Sequence, residues 1–179
     1  MGKSLWFALL LLVASACGDP LFFAQVSEPK ICIQAVNETV PAAPAGVGPA
    51  QVTWQGSFDL SQVPGNGDSD TTGTVTILSL EIDSTTDMSG VTQVAVDLPT
   101  IVTSGDYIDY TVPSPLADPN SILMTPTVPN VNLLSALTNG GTLPYGITLT
   151  GTPPTQAWQA NVTACLSVNV EVNLLKASK

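Results

Sequence analysis

Few side chains in this sequence can do chemistry, and the missing ones exclude whole classes of it. Histidine is absent from all 179 residues, which removes the commonest general base and transition-metal ligand. No serine triad built on an imidazole can form. Basic residues number 4, all lysine, against 14 acidic ones, for a net charge of −10. Without arginine, no guanidinium is present to clamp a phosphate or carboxylate. Lys30, Lys176 and Lys179 stand toward the ends of the chain, poorly placed for a Ser–Lys dyad. Asp106 and Asp109 share one strand end, but at i and i+3 they face opposite sides, which does not suit a glycan-cleaving carboxylate pair. No Gly-rich phosphate loop followed by lysine is present. An oxygen-rich turn and three cysteines, Cys17, Cys32 and Cys165, remain.

The turn is Asn66-Gly67-Asp68-Ser69-Asp70. Its oxygen side chains alternate, the spacing that Ca²⁺ takes in its loops. An EF-hand would carry Gly at the sixth place and Glu at the twelfth, where Thr71 and Ile77 stand. Asn66, Asp68 and Asp70 are therefore a weak calcium candidate, and a solvated β-turn accounts for the same residues. Asp83 and Asp87 form a second, weaker acidic turn. Gly67-Asp68-Ser69 is similar to the first block of one esterase class, which also needs a catalytic histidine. Asp70-Thr71-Thr72-Gly73 is similar to the Asp-Thr-Gly of aspartic proteases, with one Thr too many. Both read as turn residues. Zinc lacks ligands, and no other cofactor is expected.

The leader has three parts. Lys3 supplies positive charge, 5–13 is apolar, and small residues lead to Cys17. The run 5–16 is about twelve residues, where a spanning helix needs about twenty. It is a targeting segment. Ala14-Ser15-Ala16-Cys17 resembles the bacterial lipobox, whose usual form is Leu, a small residue, Gly or Ala, then Cys; Ala14 stands where Leu is favoured. The resemblance is confined to this leader. It implies removal of 1–16, lipidation of Cys17 and anchoring to a bacterial membrane. Ala14-x-Ala16 also fits an ordinary secretory cleavage site, which would leave Cys17 a thiol. Asp19 stands one place late for the enterobacterial inner-membrane retention signal, so the outer membrane is favoured.

An odd cysteine count in an exported protein leaves one thiol over. Lipidating Cys17 leaves Cys32 and Cys165 to pair in an oxidising compartment. The acidic chain has no cluster of lysines to meet nucleic acid. Its charge also opposes anionic headgroups, so acyl chains would hold the membrane. Residues 17–29 are expected to be the lipidated N-terminus and tether, with Leu21-Phe22-Phe23 packing onto the domain; 30–175 form a single domain and 176–179 a tail.

Only 10% of residues are charged. Solubility falls to Thr, Ser, Asn and Gln, which suits strands better than helices. Strands are expected at 31–36, 51–60, 74–83, 91–98, 107–112, 146–150 and 160–175, on alternation. Pro113, Pro115, Pro119, Pro126 and Pro129 cut the chain into short pieces suited to sheet edges. One short helix is predicted at 132–138, with Asn132 capping and Asn139-Gly140 ending it. The pattern implies an all-β, antiparallel Greek-key or immunoglobulin-like sandwich, with a barrel left open. A Cys32–Cys165 bridge makes the first and last strands neighbours or near neighbours. Thr163 stands where a tyrosine corner would be, so a true immunoglobulin domain is not expected.

Trp54 reads as core, whereas Trp158 and Tyr145 read as loop residues and surface-contact candidates. The sequons at Asn37 and Asn161 read as chance. The functional expectation is a non-enzymatic binding or structural module of the envelope or surface, whose partner is another envelope protein or a surface glycan. The alternative is a carrier of a lipid or other apolar ligand in a β-barrel.

Overall fold

Alternating apolar residues build two sheets. The computed structural model describes residues 23–46, 48–67, 70–128, 131–139 and 141–173. Its elements are β1 (Phe23–Val40), β2 (Ala50–Asp59), β3 (Thr72–Ser84), β4 (Val91–Asp97), β5 (Ile108–Thr111), β6 (Ser121–Met124), α1 (Leu134–Thr138), β7 (Thr142–Gly151) and β8 (Trp158–Asn173). The ladders are antiparallel. They form two four-stranded sheets, ordered β1-β8-β3-β6 and β2-β7-β4-β5. The expected all-β sandwich therefore forms, and this strand order makes it a jelly roll of two Greek keys. The proline-flanked β5 and β6 are short edge strands.

Residues Val162, Ala164, Leu166, Val168 and Val170 of β8 are buried between the sheets. On either side, β1 and β3 keep their apolar residues inward by changing phase at bulges. In β3, Val75 and Ile77 point inward on odd positions, and Leu80 and Ile82 on even ones. Leu78 is the extra residue, between the pairs Ile77↔Leu166 and Ser79↔Cys165, and is 43% exposed. Without this bulge every later side chain would face the wrong way. Deleting Leu78 restores strict alternation through Ile77-Ser79-Leu80. The deletion is expected to leave the melting temperature within about 3 °C of the parent, since it removes no core side chain. A collapse of the cooperative melt would show that the bulge itself is required.

Asn37, with φ of 56°, forms a similar bulge in β1. Asparagine tolerates this left-handed backbone, and its N–H donates to Asn161 Oδ1 at 2.9 Å.

β1 begins earlier than alternation around Ile31 suggested. Phe23 to Glu28 pair with Asn173 to Val168, so part of the segment assigned to the tether is strand. Pro29 hides the continuity, but it lies where the ladder is interrupted between Glu28 and Ile31. Cys17, Leu21 and Phe22 lie outside the described residues.

The helix is shorter than 132–138. Leu133, not Asn132, is its N-cap. Asn132 instead staples the helix to β3: its Oδ1 accepts from Leu134 N–H at 3.1 Å and from Val75 N–H at 2.9 Å, and its Nδ2 donates to Gly73 O at 3.0 Å.

Cys32 and Cys165 form a disulfide with Cα atoms 4.0 Å apart. They are directly opposed in the β1–β8 ladder. The first and last strands are thus hydrogen-bonded neighbours, and the bridge lies within one sheet.

Candidate functional site

The outer face of the second sheet carries a concavity. Register places Gln55, Gly146 and Asp97 in one row across β2, β7 and β4, and Thr53, Thr148 and Ala95 in the next. The intervening Trp54, Ile147 and Val96 are buried, so the two rows face outward. Loop 99–106 stands beside them as a wall. It is pinned where it leaves β4, with Ile101 and Val102 N–H donating to Leu98 O at 2.9 Å. It is pinned again on return, with Tyr107 N–H donating to Val96 O at 2.7 Å. The fully buried Leu98 and Tyr107 anchor both ends. Floor and wall enclose an open groove of about 490 Å³.

Small residues give the groove its depth. A Cβ on Gly146 would meet only Asp97 Cβ, at 3.8 Å, and Gly146 is not among the positive-φ glycines. Neither strain nor crowding demands glycine there. Glycine within a strand marks a bulge, a tight bend, or a place where a ligand or another backbone approaches closely, and neither ladder shifts register at Gly146. Thr53 and Thr148 hydroxyls bond one another at 2.9 Å. Gln55, Asp97 and Asp106, by contrast, make no side-chain hydrogen bond or ion pair among the described residues. Asp109 lies opposite Ala95 on β5, but its carboxylate is held by Gln93 Nε2 at 2.6 Å.

Of the residues singled out by sequence, Asp106 lines this groove, whereas the described residues of the oxygen-rich turn do not. Asn66 packs against Gly141, with its Oδ1 buried and without a hydrogen-bond partner among the described residues. Asp70 is exposed, and Asp68 lies outside the described residues. The turn is held by Gly67 N–H donating to Leu137 O at 3.1 Å and Thr71 Oγ1 donating to Gly65 O at 3.3 Å. Among the described residues no cluster of three or more His, Cys, Asp or Glu is placed to hold a metal. Asp87 Oδ1 accepts Ser89 N–H at 2.7 Å. The Ser89 hydroxyl and then its backbone N–H hold the Asp87 carboxyl below its ordinary range.

Trp158 and Tyr145 are not surface residues. Trp158 opens β8 at 5% exposure, and Tyr145 lies within β7 at 1%. β7 starts at Thr142, earlier than expected; Pro144 precedes the ladder with β4, which begins at Gly146. Trp158 meets Trp54 edge-on, with centroids 6.4 Å apart and planes at 64°. Tyr145 lies 4.6 Å from Phe58 and over Gly56, whose missing Cβ leaves room for the phenol.

Burial, then the charge of Glu38, pushes the Tyr145 phenol far above its ordinary range. Burial raises Tyr107 to about 12. Unfolded tyrosines ionise near pH 10, and these two do not while folded. The unfolded state therefore binds fewer protons above that pH, and stability falls as pH rises. Melting temperature is expected to hold to about pH 9.5 and then drop steeply toward pH 12, with Tyr107→Phe and Tyr145→Phe each flattening the drop. A pH-independent melt across this window would contradict the burial.

No family model matches the chain, and no curated protein matches it. In backbone it is similar to the infectious bursal disease virus VP2 subviral particle, at 13% identity and TM-score 0.38 over 94% of this chain and 44% of that one. It is similar to turnip yellow mosaic virus at 10% and 0.31, over 95% and 92%. It is also similar to a chain of infectious bursal disease virus Gx strain at 15% and 0.35, over 89% and 40%. The chain spans less than half the length of the two bursal disease virus chains. Likeness at this level carries nothing about what the present chain binds.

Proposed function

We propose that this chain is an exported bacterial lipoprotein. Residues 1–16 are removed, Cys17 is acylated, and the jelly roll is a non-enzymatic binding or structural module of the cell envelope or surface. The outer membrane is the favoured site, and an envelope protein or a surface glycan the partner. The Cys32–Cys165 disulfide carries this reading. Such a bond persists in an oxidising compartment, and it leaves Cys17, at the end of an apolar leader, as the odd cysteine. A carrier role for apolar ligands fits less well, because Trp54, Phe58, Tyr145 and Trp158 fill space between the sheets.

Mass spectrometry of the mature N-terminal peptide from a bacterial host tests the reading. The expected product begins at an acyl-modified Cys17, and Cys17→Ser shifts the protein from the membrane to the soluble fraction. An unmodified Cys17, or cleavage elsewhere, would overturn it. Protease treatment of intact cells then separates surface display, where the domain is lost, from periplasmic residence, where it is protected.

A further inference from the structure

The geometry points to a neutral oligosaccharide as the ligand of the groove on the β2-β7-β4 face. This inference rests on reading the domain as an envelope binding module, and it assigns that module its ligand class and the residues that hold it.

The chemistry of the lining selects the ligand by elimination. Among the described residues Asp97 and Asp106 line the groove and no cation does. Phosphate, sulfate and uronate groups are therefore repelled, in a chain already at −10. The floor and wall are mostly hydroxyl, amide and carboxylate, with Ala95, Pro99 and Val102 the apolar side chains among them, so the lining favours a polar ligand over a wholly apolar one.

The choice between an amine and a polyol follows from donor and acceptor types. Carboxylates only accept, so the ligand must donate to Asp97 and Asp106. Thr103, Ser104 and Gln55 both donate and accept. An ammonium has no acceptor to return to them, whereas a sugar hydroxyl does both. Hydroxyl-to-carboxylate bonds are charge-assisted and stronger than neutral ones. Among the described residues Gln55, Asp97 and Asp106 have no partner to give up, so binding breaks no hydrogen bond between them. Gly146 lets a pyranose ring come down onto the strand backbone between Gln55 and Asp97, its neighbours in register. The groove is open and built on a rigid sheet, which suits a chain lying across it.

The test uses the purified full-length mature protein and isothermal titration with maltotetraose, cellotetraose, chitotetraose and mannotetraose. Tetragalacturonate, spermine and calcium chloride serve as counter-probes. Saturable binding of at least one neutral tetrasaccharide is expected. Gly146→Val should weaken it about tenfold or more by filling the floor. The same change leaves the melting temperature equal or higher, because valine suits a strand. Asp97→Asn, which keeps the shape and removes the charge, should also weaken it about tenfold. If Gly146→Val misfolds, Asp97→Asn still decides. The inference fails if no neutral tetrasaccharide binds, or if binding survives both variants. It also fails if tetragalacturonate binds as tightly, or if spermine or calcium alone occupies the groove. Acylation of Cys17 does not enter this measurement, so either proposal can fail while the other stands.

Discussion

Removing the disulfide with Cys32→Ala and Cys165→Ala together is expected to cost about 2–5 kcal/mol and lower the melting temperature by roughly 5–15 °C. The bridge spans 133 residues of sequence. Cross-linking so long a loop restricts the unfolded chain most, and the chain-entropy model puts its upper value near 5 kcal/mol. Lost packing is confined to Cys165, which is 8% exposed, whereas Cys32 is exposed on the outer face of its sheet. Two controls separate this from a general mutational effect. Reductant should shift the parent by the same amount and leave the double variant unmoved. A difference under about 2 °C between parent and variant would show that the β1–β8 ladder needs no cross-link.

Trp158→Ala is expected to cost about 3–5 kcal/mol, among the largest losses available to one substitution. The indole is 5% exposed and packs edge-on against Trp54. Its removal leaves a cavity between the sheets where β8 begins. The aromatic contact adds about 0.5–1.5 kcal/mol, so a double-mutant cycle with Trp54→Ala should return a coupling of that size. Denaturant midpoints measure both quantities. Were Trp158 the surface contact that a loop position implied, the cost would stay within about 0.5 kcal/mol, and that value would overturn its placement in the core.

Elements that contain no proline are legible in the sequence itself. The β8 run of valines and leucines faces one way as read, and β2, β3 and β4 lie within a few residues of their expected ends. A strand half-exposed to water writes its period directly into the sequence. Elements interrupted by proline were read short. β1 passes through Pro29 and β7 through Pro144. Proline argues against a strand only where its missing N–H would be needed. Whether that N–H is needed depends on the neighbouring strand, which local pattern does not supply. Trp158 and Tyr145, expected in loops, lie instead in β8 and β7.

The groove shows the same division more sharply. Thr53, Gln55, Ala95, Asp97, Gly146 and Thr148 come from three strands far apart in the chain. None belongs to a motif, and Gly146 alone reads as a strand weakness. They become one surface only because β7 lies between β2 and β4, an order set by how the two Greek keys close.

Composition, charge, cysteine parity and period were properties of the chain itself. They determined an acidic, antiparallel β-sandwich without histidine chemistry and with a cysteine pair able to join its first and last strands. The strand order, the bulges that return Leu80 and Ile82 to the core, the inward turn of Trp158 and Tyr145, and the polar groove were decided by tertiary structure. The physical reason is range: alternation and turn chemistry act over a few residues, whereas sheet neighbours are chosen by burying two apolar faces against each other across the whole chain.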